Sequence, residues 1–508
     1  MKTGAEYLEG LRDGRKVYMD GRPVEDVTVT PGLGELAHTV ARLHDQQHEG
    51  EYAELFSFTD EHGRRLSRAW QRPRSPEELM VRQRYTQAQG RLTGGLFGRL
   101  PEYVPLFHLG MLDVKDAFGQ GDERYVANIA RYYDSAAEQD LTLSHAFVDI
   151  QTASDVDLDD TPMLRVTREG ESGLIVNGVK SIGTFVAQSD EVLVGTFPRG
   201  GLKDHHVVYF SVRVNTEGVK IVSRSPHAIG EGEFNHPVSR LGDENDTLLI
   251  FEDVEVPWER VFQYGAGASF AMRTFPLISE WAHWSILARL ATKAEMMVGL
   301  FSALPALLGR SKRSDAQEWY GEAVRYLITL RAFLDSAAHR GGLTPAGHFM
   351  PSPDIVTAGR CYGVEHYRRI IGGLQDLMGQ AFINAPTEAA LLSPEIGAVL
   401  QSVYGGSEQA ALDRVRLTRL GIDLTSGSFG GRQTLFEIFN ATGVATIRSQ
   451  LSARFRSAPY AELAYATAGI GDVDQAIRDI EADWAPGTQL GDIGLYDAVG
   501  DAYTSAAR

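Results

Sequence analysis

The sequence predicts an α+β protein: a mainly helical N-terminal domain, a central antiparallel β-domain and a C-terminal four-helix bundle. Three observations predict it. Residues 75–92 and 128–147 have helix-like apolar spacing. A hairpin pattern and four further strand-length runs crowd between residues 163 and 257 with no long helix among them. Four long helical patterns follow Pro257-Trp258. The boundaries fall at 1–150, 151–268 (a barrel-like β-domain) and 269–508.

Each element has a local reason. In SPEELMVRQRYTQAQGRL (75–92), Ser75 precedes two glutamates and a periodic run, which predicts a helix N-terminus. NIARYYDSAAEQDLTLSHAF (128–147) reads as a second helix. MLRVTREGESGLIVNGVKSIGTF alternates apolar and polar residues around Gly-Glu-Ser-Gly, which predicts a hairpin. EVLVGTF (191–197), HVVYFSVRV (206–214), GVKIVSR (218–224) and TLLIFEDVEVP (247–257) read as strands between turn-rich spacers. The bundle is carried by RTFPLISEWAHWSILARLATKAEMMVGLFSALPALL, EWYGEAVRYLITLRAFLDSAA, GVEHYRRIIGGLQDLMGQAF and the run from PEIGAVLQSVYGG to ALDRVRLTRLGIDL.

Composition excludes several functions. A net charge of −18 opposes binding to a phosphate backbone, so no nucleic-acid partner is expected. No stretch reaches the ~20 uninterrupted apolar residues of a membrane span, and the charged N-terminus has no signal-peptide apolar core. The one cysteine, Cys361, supports neither an internal disulfide nor a multi-cysteine metal site. A cytoplasmic protein without a metal is expected. GGLFGR and FGQGDE lack the strand–helix context of a dinucleotide fingerprint, and there is no Walker A, H-E-x-x-H or G-x-S-x-G sequence.

The candidate chemistry lies in short, separated stretches. Arg99 and Tyr103, in GRLPEY, would share one face of a helical turn and could hold an anionic oxygen, or be an exposed arginine beside a packed tyrosine. His145 in LSHAFVDIQ and His283 in SEWAHWSI are either core histidines or bases kept neutral by an apolar pocket. VNGVKSIGT ends in Thr184, whose hydroxyl could meet a flat ring. In LTSGSFGGRQTLFEIFNATG, glycines precede Arg432 and Gln433 and would let backbone amides approach a phosphate or ring edge.

In order and spacing these stretches resemble the two-component, reduced-flavin-dependent aromatic monooxygenases related to the large component of 4-hydroxyphenylacetate 3-monooxygenase, a family that includes chlorophenol and nitrophenol monooxygenases. The resemblance runs through TGAEYLEGLRDGRKVYMDG (3–21), GRLPEY (98–103), LSHAFVDIQ (143–151), FNHPVSRLGDENDTLLIFEDVEVPWERVF (234–262), PTEAALLSPEIG (386–397) and GSFGGRQTLFE (427–437). It implies an acyl-CoA dehydrogenase-like fold. It also implies hydroxylation of a phenolic or heteroaromatic small molecule with O2 through a flavin C4a-hydroperoxide. The cofactor would be FAD as FADH2 (or FMNH2), supplied by a separate NAD(P)H:flavin reductase, and the assembly a homotetramer built as a dimer of dimers.

By the same resemblance, Arg99, Tyr103 and His145 surround a phenolic oxygen, and His283 and Asn440 line the substrate pocket. Either histidine is the base. Gln151, Thr184, Arg432 and Gln433 hold the flavin, with Thr184 near N5. The chain departs from the family's usual N-P-Q-x-D-R: it reads Asp149-Ile150-Gln151-Thr152-Ala153-Ser154. The usual arginine contact there is lost or supplied elsewhere. The rival readings are an acyl-CoA dehydrogenase-like flavoenzyme, with Glu280 or Glu388 as base, and a non-catalytic ligand-binding paralogue.

Overall fold

A computed structural model describes residues 1–483, apart from 96, 100, 121, 154–155, 228–231, 441, 455–457 and 472. Residues 484–508 of the expected third domain lie outside the described residues. Helix α1 (Pro76–Leu92) starts where the sequence places it: Ser75 accepts from the Glu78 amide at 3.3 Å, and Pro76 occupies the first turn, where its missing N–H costs nothing. Helix α2 (Tyr103–Asp113) is almost wholly buried. Helix α3 (Glu123–Glu138) stops earlier than its apolar pattern suggests. Asp140 takes a left-handed φ of 49°, which ends the helical path, and Leu143–Ala146 becomes strand β3.

The β-domain borrows from the N-terminal segment. With β1 (Val17–Met19), β2 (Arg22–Val24), β4 (Arg165–Glu169), β5 (Gly173–Thr184), β6 (Glu191–Val194), β7 (Val208–Arg213), β8 (Val219–Ser223), β9 (Asp246–Pro257) and β10 (Val261–Tyr264), two sheets form in the orders β2-β1-β8-β9-β5-β4 and β10-β7-β6-β3. The pairing is antiparallel except where the N-terminal segment joins: β1 runs parallel to β8 and β3 parallel to β6. A Val148–Ile182 bridge ties the segment just after β3 to β5. The sequence predicts residues 17–24 and 143–146 within a mainly helical domain. The sheets recruit them because short Val- and Leu-bearing runs gain more from ladder pairing than from one isolated helical turn.

Helix α4 (Gly267–Leu307) opens the bundle, followed by α5 (Ser314–His339), α6 (Pro353–Met378), α7 (Glu408–Thr425) and α8 (Ser428–Phe439). The fourth long pattern is broken in two: a helix over Gly397–Tyr404, then Gly405-Gly406, then α7. By length and composition α4 could cross a membrane. Here it is the core helix, with Leu277, Trp281, Trp284 and Leu287 all fully buried, and it carries the buried charges Glu280, Arg289 and Lys293. A helix that is apolar on all sides belongs in such a core.

Candidate active site

Four segments converge beside α4: the loop entering α2, the end of β5, the turn entering β9, and α8. Glu244, on the β9 turn, is 1% exposed and accepts both backbone amides of the α2 loop, from Gly98 at 2.9 Å and Arg99 at 2.6 Å. The loop therefore hangs on a carboxylate 145 residues away in sequence. Arg99 and Tyr103 do not share a helical turn. Helix α2 begins only at Tyr103, after Glu102 at the cap. The pair meets across that bend, with the Arg99 guanidinium carbon 4.3 Å from the Tyr103 ring centroid.

The Tyr103 ring lies 5.5 Å from His145 and 5.5 Å from Phe107. His145, on β3, stacks on Phe107 at 5.4 Å and abuts Phe147 at 5.0 Å. Burial among these rings, then the Arg99 charge, pushes the imidazole pKa well below its ordinary value. His145 is therefore neutral, and its buried Nδ1 has no hydrogen-bond partner among the described residues.

The phenyl ring of Phe436, on α8, is the hub. Arg432 lies 4.6 Å, Arg99 5.0 Å and Arg289 5.6 Å from its centroid. A Cβ added to Gly98 would sit 1.9 Å from Phe436 Cζ. Gly98→Ala is therefore expected to lift the Arg99 loop or displace the ring, at an overpacking cost of about 1–3 kcal/mol. A lowered melting temperature and lowered activity check this, and Gly98→Ala with Phe436→Leu should recover part of the stability.

Arg432 is 8% exposed and grips Asp246, from Nη2 to Oδ1 at 2.7 Å and from Nε to Oδ2 at 3.0 Å, and donates to the Glu244 carbonyl at 3.0 Å. Thr184 donates to the same Asp246 Oδ1 at 2.9 Å. Gln433 is buried and accepts from Lys293 Nζ at 3.2 Å. Asn440, at the end of α8, donates from Nδ2 to the Phe436 carbonyl at 2.7 Å. His283 lies on α4, with Nδ1 3.7 Å from Glu280 Oε2. Two residues further on, Ser285 donates to Glu102 at 2.5 Å, tying that part of α4 to the start of α2.

The structure thus brings together Arg99, Tyr103, His145, Thr184, Arg432 and Gln433. It does not bring Gln151 to them: that side chain is exposed and makes no hydrogen bond among the described residues. Its neighbour Asp149 is buried and bonds Lys180 Nζ at 2.5 Å, and Lys180 also donates to the Phe147 carbonyl at 3.2 Å. The altered segment is thereby anchored to β5, four residues before Thr184. An arginine does reach it, because Arg199 donates to Thr152 at 2.9 Å. A cavity of about 250 Å³ lies elsewhere, lined by Arg64, Arg72, Arg74 and Tyr133 and by none of the site residues. Its arginines pair with Asp60, Asp134 and Glu61.

The sequence reading missed Glu244, Asp246 and Phe436. The available signal was GDEND (242–246), an acidic cluster just before an apolar strand in the longest family-like stretch. The residues fit a flavin and a phenol. Arg432 Nη1, Gln433 Nε2, Arg99 Nε, His145 Nδ1 and Asn440 Oδ1 are buried polar atoms with no hydrogen-bond partner among the described residues. Buried polar atoms are normally satisfied, so this mixed set of donors and acceptors suits a ligand with polar ring edges.

Family models described as 4-hydroxyphenylacetate 3-hydroxylase N terminal and C terminal match residues 3–263 and 272–469. The chain is 31% identical to the oxygenase component of a 4-nitrophenol 4-monooxygenase/4-nitrocatechol 2-monooxygenase of Rhodococcus opacus, covering 93% of this chain and 92% of that one. It is 29% identical to an FADH(2)-dependent monooxygenase of Burkholderia cepacia, over 97% and 98% of the two chains. Its structure is similar to that of the oxygenase component of 4-hydroxyphenylacetate 3-monooxygenase complexed with FAD and 4-hydroxyphenylacetate. The TM-score there is 0.87 at 27% identity, covering 95% of this chain and 100% of the other.

Proposed function

The chain belongs to the 4-hydroxyphenylacetate 3-hydroxylase family, and from that membership we propose how its site works. It is an FADH2-dependent aromatic monooxygenase, the oxygenase component of a two-component system, with the acyl-CoA dehydrogenase-like fold. A separate reductase supplies the FADH2, and the substrate is a small phenol or hydroxylated heteroaromatic. Bound reduced flavin would supply activation of dioxygen and delivery of one oxygen atom to the ring.

Thr184, Arg432 and Gln433 hold the flavin. Arg99 places its charge on the substrate oxygen, Tyr103 donates a hydrogen bond to it, and the neutral His145 takes the phenolic proton at Nδ1. Ionisation makes the ring carbon a stronger nucleophile, and Arg99 stabilises the phenolate electrostatically. His283 and Asn440 line the substrate end. The observation that carries this reading is a neutral, partnerless imidazole nitrogen beside a guanidinium and a phenol, within one buried aromatic cluster.

The assembly is a homotetramer in this reading, and an exposed apolar row, Leu392, Ile396, Val399 and Val403, on and before the helix Gly397–Tyr404, offers a surface for self-association. A cytoplasmic setting provides the NAD(P)H that the reductase consumes.

The test combines purified protein with FAD, NADH, a flavin reductase and a panel of 4-hydroxyphenylacetate, nitrophenols, chlorophenols and hydroxypyridines. Without the reductase NADH should persist; with it, at least one panel member should gain oxygen. NADH oxidation by the protein alone, or peroxide as the sole product with every panel member, would overturn the reading.

A further inference from the structure

Asp246 is the first residue of β9 and pairs with Thr184, the last residue of β5. Its carboxylate accepts four hydrogen bonds. Oδ1 takes Thr184 Oγ1 at 2.9 Å and Arg432 Nη2 at 2.7 Å; Oδ2 takes Arg432 Nε at 3.0 Å and Arg224 Nε at 3.2 Å. Burial alone would raise the Asp246 pKa, but Arg432, then Arg224 and Thr184, bring it down to about 2. An ionised carboxylate accepts and never donates. Thr184, 4% exposed, has one hydroxyl hydrogen, and that hydrogen is committed to Asp246. Only lone pairs remain at Thr184 Oγ1, so a ligand nitrogen meeting it has to bring its own hydrogen.

We propose that Asp246 is a positioning residue that turns Thr184 into an acceptor only, and thereby selects reduced flavin, whose N5 carries a hydrogen, over oxidised flavin, whose N5 is a bare acceptor. The inference rests on reading the site as a flavin site with Thr184 at N5. It assigns the redox preference to a residue that need not touch the cofactor.

The experiment measures anaerobic dissociation constants for FADH2 and FAD and the midpoint potential of the bound flavin. Wild type should prefer FADH2 by about tenfold or more, which raises the potential by about 30 mV for a two-electron couple. Thr184→Val should abolish most of that preference. Asp246→Asn should reduce it about fivefold or more, because an amide can donate to Thr184 and free the hydroxyl to turn toward a bare N5. On the Thr184→Val background, Asp246→Asn should leave the ratio unchanged. An equal change on both backgrounds would mean that Asp246 acts through its charge alone and would overturn the proposal, as would no change on the Thr184 background.

Wild type alone supplies a second test, independent of whether the variants fold. Oxidised 5-deaza-FAD carries C–H where FAD has its bare N5, so it should bind more tightly than FAD; equal or weaker binding overturns the proposal. Wild type binding FAD and FADH2 equally would remove this inference and leave the monooxygenase reading standing. Wild type binding neither would remove both.

Discussion

Replacing His145 with alanine is expected to slow aromatic hydroxylation by about 10²- to 10⁴-fold, the usual contribution of one positioned general base, while FADH2 oxidation by O2 continues. The uncoupling follows from where His145 sits. Its contacts are Tyr103, Phe107 and Phe147, the rings proposed to face the substrate. The groups proposed to hold the flavin are tied to Asp246 and Lys293 instead. The Arg99 charge that disfavours an imidazolium at His145 also favours a phenolate between them, so proton transfer places one anion between two cations. A base works in its neutral form, and this one is neutral down to well below the usual imidazole pKa. The acid limb of the hydroxylation rate should therefore lie well below about pH 6.5, and no loss of rate should appear as pH falls from 8 to about 6.5. Product yield per FADH2, measured against pH in wild type and the variant, checks both statements. An unchanged yield in the variant would move the base assignment to His283.

Much of the scaffold was legible because its signals are local. Ser75 with Pro76 set a helix start, Gly170–Gly173 set a hairpin, and apolar runs set the bundle. The errors came where a local signal competes with a distant partner. Leu143–Ala146 continues a helical apolar pattern, yet β6, nearly 50 residues later, claims it as a strand. Arg99 and Tyr103 have the spacing of a helical turn, but α2 begins only at Tyr103, and Glu244 holds the loop before it. The site divides in the same way. The groups that would face a ligand stand in short, recognisable stretches. The carboxylates that place them, Glu244 and Asp246, have no periodicity relative to Arg99 and Arg432, because the pairing is made by folding across 145 and 186 residues. Phe436 could be read as one more apolar helix residue until three guanidinium groups are seen around its ring.

Glu437 carries the largest stability prediction. It is 1% exposed, next to Phe436 on α8, and accepts from Arg289 at 2.6 and 2.7 Å and from Lys293 at 2.6 Å. Both cations come from α4 and are themselves 1% exposed, so this carboxylate docks α8 on the core helix. Removing one partner of a buried ion pair leaves charge without compensation, and Glu437→Gln should destabilise the protein by about 3–5 kcal/mol at pH 7, read as a fall in the urea midpoint. Burial would raise the Glu437 pKa, but Arg289 and Lys293 outweigh it and bring it down to about 2. The folded value is thus below the unfolded value of about 4.3, so the stabilisation is complete above about pH 5 and is lost as pH falls through about 2. The gap between wild type and Glu437→Gln should hold constant from pH 7 to 5 and then narrow. Replacing all three, Arg289→Met, Lys293→Met and Glu437→Leu, should cost far less than Glu437→Gln alone, since a packed apolar trio often matches a buried ionic one. If the triple variant is instead the less stable, the ion cluster is itself a net source of stability. Activity would still separate the two roles: without Arg289 and Glu437, Phe436 loses the frame that sets Arg99, and hydroxylation should fall even where the fold survives.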